Sequence, residues 1–102
     1  MPAKPTIEDM MKHACDAASL LKQLANENRL VICCTLAEEE LSVGELNERI
    51  PLSQSALSQH LAKLRTANIV SVRKDAQTVY YRLASEDVVK IIMVLQSIYC
   101  PE

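Results

Sequence analysis

ELSVGELNERIPLSQSALSQHLAKLR, residues 40–65, holds two helix starts and a helix stop in one short stretch. Ser42 with Glu45 three positions on is a capping box, in which the hydroxyl accepts a free helical N–H and the carboxylate reaches back to the cap. Pro51 cannot continue that helix, since it has no N–H and its ring collides with the preceding turn. Ser53 caps a second helix, on which Leu57, Leu61 and Leu64 fall at i, i+4 and i+7 and form one apolar stripe. The opposite stripe is Ser55, Ser58, Gln59, Ala62 and Thr66, with Gln54 at the N-terminal end. These side chains are short or end in an amide. The stretch therefore predicts two helices joined by a tight turn at Ile50, Pro51 and Leu52, the second with a polar outer face.

Beyond Asn68 the period changes from helical to alternating, because IVSVRK (69–74) and TVYYRL (78–83) are rich in β-branched and aromatic residues. This predicts a hairpin with Asp75, Ala76 and Gln77 at its tip. Upstream, Thr6 caps a helix to about Leu24, with Met10, Ala14, Ala17, Ala18, Leu21 and Leu24 at helical spacing, and Asn26 caps another to about Glu39. Downstream, Ser85 followed by Glu86 and Asp87 starts a last helix, VVKIIMVLQSIYC (88–100). Apolar residues cover most of its circumference, so one face should meet its own core and another a second subunit. The expected order is α-α-α-α-β-β-α, a mainly α fold with a small β-hairpin. Two helices around a tight turn, followed by a basic hairpin, make a winged helix-turn-helix. With no repeat or linker in view, residues 1–102 are expected to form a single domain: helix-turn-helix about 42–66, wing about 69–83, outer helices about 7–24 and 86–99.

A chain of 102 residues supports one modest core. Its single glycine, Gly44, leaves no glycine-rich phosphate loop, which argues against a nucleotide-binding enzyme. No apolar run is long enough for an export signal or a membrane span, so a cytoplasmic protein is expected. The net charge of −2 discourages nucleic acid as a partner until its distribution is read. From Arg49 to Arg82 there are six cations against the single anion Asp75, a local +5, while the remaining residues carry −7. A basic centre with a polar recognition face points to duplex DNA. Gln54, Ser55, Ser58 and Gln59 are of types that reach base edges and phosphates; Lys63, Arg65, Arg73 and Lys74 are suited to phosphate, with Gln77 at the wing tip. His60, at the edge of the buried stripe, is a packing or phosphate-contacting residue with no nucleophile near it in sequence.

The run ELSVGELNERIPLSQSALSQHLAKLRTANIVSVRKDAQTVYYRL, with LANENRL before it, resembles the ArsR/SmtB family of winged-helix repressors over essentially the whole chain, most specifically in SQSALSQHLAKLR. The paired Cys33 and Cys34 and the terminal IYCP resemble the family's sulfur-sensing branch, which includes BigR, SqrR, YgaV and the HlyU-like regulators. The resemblance implies a homodimer joined through the first and last helices, with one recognition helix per half of a roughly palindromic operator. It also implies no enzymatic activity and no cofactor. Two departures disfavour a metal sensor. Ser42 and Gly44 stand where arsenic or cadmium sensors carry cysteines, and the last helix has no His for zinc.

Four cysteines (15, 33, 34 and 100) occur without a CxxC pair, which fits neither a zinc knuckle nor a secreted disulfide scaffold. Successive helical residues point about 100° apart. Leu30, Cys33, Leu36 and Ala37 share the apolar side of the second helix, so Cys33 reads as core and Cys34 lies on the flank. The resemblance aligns Cys34 and Cys100 with a sensing dithiol, and implies a repressor released from DNA when persulfide, polysulfide or another oxidant bridges them. Three alternatives stand beside this reading: a thiolate repressor induced by a thiophilic metal or metalloid, an HlyU-like antirepressor of virulence genes, and a small thiol oxidoreductase that binds no DNA. Cys15 has no motif support.

Overall fold

The computed structural model describes residues 4–100. In chain order its elements are α1 (Ile7–Leu24), α2 (Glu27–Leu36), β1 (Leu41–Ser42), α3 (Val43–Arg49), α4 (Gln54–Thr66), β2 (Val70–Asp75), β3 (Thr78–Leu83) and α5 (Glu86–Tyr99). Each helix begins on the expected cap. Thr6 with Asp9 and Ser42 with Glu45 form full capping boxes, and Asn26, Ser53 and Ser85 each accept one backbone N–H. Such caps satisfy donors that have no partner inside the helix.

Two boundaries differ from the sequence expectation. α2 ends at Leu36 rather than about Glu39. Three consecutive glutamates oppose the negative end of a helix dipole, and two of them turn off the axis, Glu39 to Arg49 at 2.6 Å and Glu40 to Arg73 at 2.6 Å. The second difference is β1, absent from the expected order. Leu41 and Ser42 pair antiparallel with Tyr81 and Tyr80, so the hairpin becomes a three-stranded sheet ordered β1-β3-β2.

The core lies where α2, α3, α4, α5 and the sheet converge. Leu57, Leu61 and Leu64 are fully buried, as expected of the stripe, together with Ile32, Cys33, Leu46, Ile69 and Ile92. α4 leaves its last turn through a Schellman motif: Ile69 N–H reaches Leu64 O at 2.9 Å and Asn68 N–H reaches Arg65 O at 3.0 Å. Asn68 takes the left-handed conformation this requires, φ 61°, a region that Asn tolerates better than most residues. The wing therefore follows the recognition helix after a single corner. On the turn before α4, Asn47 Nδ2 donates to the Leu52 carbonyl at 2.7 Å, fixing the approach to the Ser53 cap.

α1 is different. Of its 18 residues only Leu24 is buried, while Ile7, Met11 and Leu21 are more than half exposed, as are Met93, Val94, Ile98 and Tyr99 of α5. The radius of gyration, 15.4 Å, exceeds the ~13 Å of a compact domain of this length. No described helix is long and apolar enough to cross a membrane.

Candidate nucleic-acid interface and thiol pocket

α4 presents Gln54, Ser55, Ser58, Gln59, Ala62 and Thr66 to solvent while its leucines are sealed below. Lys63 and Arg65, also exposed, stand in its last turn. His60 is half-buried at the edge of this face, and its Nδ1 is enclosed without a hydrogen-bond partner. Burial first, then the nearby charges of Arg29 and Lys63, hold its pKa below the ordinary value.

On the wing, Lys74 and Gln77 are exposed, Gln77 at the tip beside Ala76. Arg73 is exposed but engaged. Its Nε and Nη2 donate to Glu40 Oε1 at 3.0 and 2.6 Å, Asp75 lies at 3.8 Å, and the guanidinium sits 4.7 Å from the Tyr80 ring centre. The hydrogen bond to Arg73 holds the Glu40 carboxyl below the usual range. The local +5 is thus partly neutralised in three dimensions, because Arg49 and Arg73 both meet glutamates from the segment after α2. Sequence distance concealed those partners.

The two adjacent cysteines separate as the wheel predicts. Cys33 is fully buried, and burial pushes its thiol up to about 12, with Cys34 adding to the rise. A thiol so placed stays protonated and inert. Cys34 is half-buried and borders an open cavity of about 490 Å³ whose lining also includes Cys100, Gln96, Glu38 and Arg49. Cys100 is exposed at the C-terminal cap of α5. α2 and α5, which pack together, bring to one cavity two cysteines far apart in the chain. Burial raises the Cys34 thiol; a hydrogen bond from Gln96 opposes the rise, and Cys100 and Glu38 add to it. All four cysteines are free thiols. Pro101, in the IYCP motif, lies outside the described residues.

Gln96 and Arg49 were missed as lining residues in the sequence. Gln96 carried a readable signal, since it precedes Cys100 by four positions and so shares its face of the helix. Its Nε2 also reaches toward the Cys34 carbonyl oxygen at 3.5 Å. Cys15 is exposed on α1, away from this cavity's lining. Among the described residues no three His, Cys, Asp or Glu side chains come together as a metal site.

Residues 26–72, from the cap of α2 into the wing, match the family described as bacterial regulatory protein, arsR family. Across 98 residues the chain is 52% identical to the transcriptional activator HlyU of Vibrio cholerae, covering 96% of this chain and 91% of that protein. The chain belongs to the ArsR family. A biofilm growth-associated repressor of Agrobacterium fabrum is 45% identical over 91 residues, 89% of this chain and 78% of the relative. The structure of reduced HlyU from V. cholerae superposes with a TM-score of 0.87 at 53% identity, covering 92% of this chain and 99% of that one. The ArsR-family chain is accordingly a winged-helix transcriptional regulator, a class that works by binding DNA.

Proposed function

We propose that this regulator is a homodimeric repressor that holds operator DNA through α4 and the wing and releases it when Cys34 and Cys100 are oxidised together. The observation that carries the switch is the shared cavity: one half-buried thiol comes from the flank of α2, a helix packed into the core, and the other from the end of α5, whose outer face is apolar and uncovered. A bond between them ties the core of the DNA-binding unit to the helix that faces the second subunit, which biases the spacing of the two recognition helices.

The chemistry balances without a cofactor. One cysteine thiolate attacks the outer sulfur of a persulfide RSSH, displacing RSH and becoming a cysteine persulfide. The second thiolate attacks its inner sulfur, forms the disulfide and expels hydrosulfide. If both cysteines first acquire an extra sulfur, their condensation leaves a trisulfide and again releases hydrosulfide. A direct disulfide needs Cα atoms about 4.4 to 6.8 Å apart, so the held separation of the thiols selects between these products. Peroxide reaches the same disulfide through a sulfenic acid, with water leaving at each step.

Gln54, Ser55, Ser58 and Gln59 contact base edges and phosphates in the major groove, and His60, Lys63, Arg65, Lys74 and Gln77 contact the backbone beside them. Arg73 joins them by exchanging Glu40 for a phosphate. The dimer forms through α1 and α5, where an 18-residue helix buries one residue of its own chain; an isolated helix of that length is marginal in water.

The test is operator binding by wild type, Cys34→Ser and Cys100→Ser after persulfide, peroxide or no treatment, with intact mass on each sample. Wild type should lose affinity with a mass change matching the bridge, and each mutant should stay bound. Release of both mutants by the oxidant overturns the dithiol switch. A second reading concerns the sign of regulation: because a relative at 52% identity is named an activator, the same domain serves as an antirepressor where its operator overlaps another regulator's site. A promoter reporter with and without that competitor separates the two.

A further inference from the structure

The recognition stripe of α4 does not end in open solvent. Ala62 and Thr66, its last two members, form one wall of an open groove of about 790 Å³, faced by Lys22 and Gln23 from the end of α1 and by Arg29 from α2; Lys63 stands on the rim. Among the described residues, no carboxylate pairs with Lys22, Arg29 or Lys63, whereas Arg49 and Arg73 both have glutamate partners. Arg29 is oriented: its Nη1 donates to Gln23 Oε1 at 2.8 Å. Its Nε and the Nδ1 of His60 are both enclosed without a partner. Both nitrogens are closed off from the groove, so what an incoming group meets is the charge of the cations at its surface. The groove gathers three cations with no carboxylate in its lining, and a phosphate group supplies both negative charge and acceptor oxygens.

We propose that Lys22, Arg29 and Lys63 form a clamp for a backbone phosphate of the operator strand next to the bases read by α4, so that the corner between α1 and α2 is part of the DNA interface. The continuity of the groove with Ala62 and Thr66 selects a DNA phosphate over a free anion. This rests on the reading of α4 as the DNA-binding helix. It adds Lys22 and Arg29, which lie outside both the helix-turn-helix and the wing, to the residues that hold the duplex. A phosphate contact fixes position and carries no sequence information.

The test uses the full chain and a duplex that the wild type selects from a random-sequence pool, with affinity followed between about 50 and 200 mM salt. Lys22→Gln and Arg29→Gln should each weaken binding about tenfold and lower the slope of log K against log salt by about one. The loss should be equal on selected and scrambled duplexes, and Arg29→Lys should restore the slope. Ethylation of one phosphate per half-site should block the wild type and be indifferent to Arg29→Gln. Lys22 is exposed, so its variant should keep the wild-type unfolding midpoint and separate the clamp from a folding defect. Unchanged affinity and slope in both glutamine variants overturn the clamp and leave the α4 reading standing, whereas a wild type that retains no duplex removes both. If inorganic phosphate binds the free protein and the variants lose that binding but not the duplex, the groove is a small-anion site and the clamp is wrong.

Discussion

The unit built from α2, α3, α4 and the sheet and the pair formed by α1 and α5 treat apolar residues in opposite ways. In the first, the leucines of α4, Leu46 of α3 and Ile32 of α2 are all sealed from water. In the second, α5 anchors Val88 and Ile92 inward but turns Met93, Val94 and Ile98 out, and α1 buries only Leu24. The first region is complete within one chain. The second leaves much of its apolar surface uncovered, and the cavity that holds Cys34 and Cys100 lies at the join between them. In the proposed switch, oxidation at that join acts on the outer helices, while the recognition surface keeps its own fold.

The contrast breaks most visibly by truncation. Leu61→Ala, inside the finished core, should cost about 2 to 5 kcal/mol of unfolding free energy in denaturant titration, whereas Val94→Ala should leave a monomer's unfolding nearly unchanged. Its replacement Val94→Asp, by contrast, should shift sedimentation toward monomer and weaken operator binding by at least about tenfold, as one half-site is lost. If Val94→Asp remains a dimer with full affinity, the outer face of α5 is not the joint.

The adjacent cysteines sharpen the same division inside one helix. Cys33→Ser places a hydroxyl in the core and should cost about 1 to 3 kcal/mol while the response to oxidant persists; Cys34→Ser should cost less and abolish the response. Since the folded Cys33 thiol is raised from 9.0 to about 12, its contribution to stability is complete below pH 9.0 and is lost as pH climbs toward the folded value. The wild-type thermal midpoint should fall through that alkaline window more steeply than that of Cys33→Ala. The raised Cys34 thiol predicts a bridging rate that increases with pH as thiolate forms, and Gln96→Ala, removing the hydrogen bond that favours thiolate, should displace that profile to higher pH.

Two smaller effects belong to the wing. Glu40→Gln should release Arg73 and raise duplex affinity a few-fold, with a steeper salt dependence; equal affinity would mean that Arg73 does not reach DNA. Ala76 holds φ 58° at the hairpin tip, where a Cβ is strained, so Ala76→Gly should gain up to about 1 kcal/mol without moving the DNA affinity.

Local chemistry made most of the fold legible. Every helix cap, the Pro51 stop, the leucine stripe and the hairpin follow from neighbours within a few residues. The division between Cys33 and Cys34 was equally local, since it needs only the helical angle. What stayed hidden depends on distant partners. β1 is two residues long and exists because β3 lies beside it; no alternation marks a strand so short. α2 was read too long because the arginines that draw Glu39 and Glu40 away lie beyond it in the chain. Charge counting along the sequence included Arg49 and Arg73 in the basic centre and left Arg29 and Lys22 in the net-acidic remainder, although both line a groove beside α4 in space.

The triplet Glu38, Glu39 and Glu40 spans these parts in three consecutive residues. Glu38 borders the thiol cavity, Glu39 holds Arg49 at the end of α3, and Glu40 holds Arg73 on the wing. Its two ion pairs tie the segment after α2 both to the end of α3, just before the turn into α4, and to the wing. In the proposed switch, a bond at the thiol cavity therefore acts beside a segment already tethered to both parts of the DNA-reading unit.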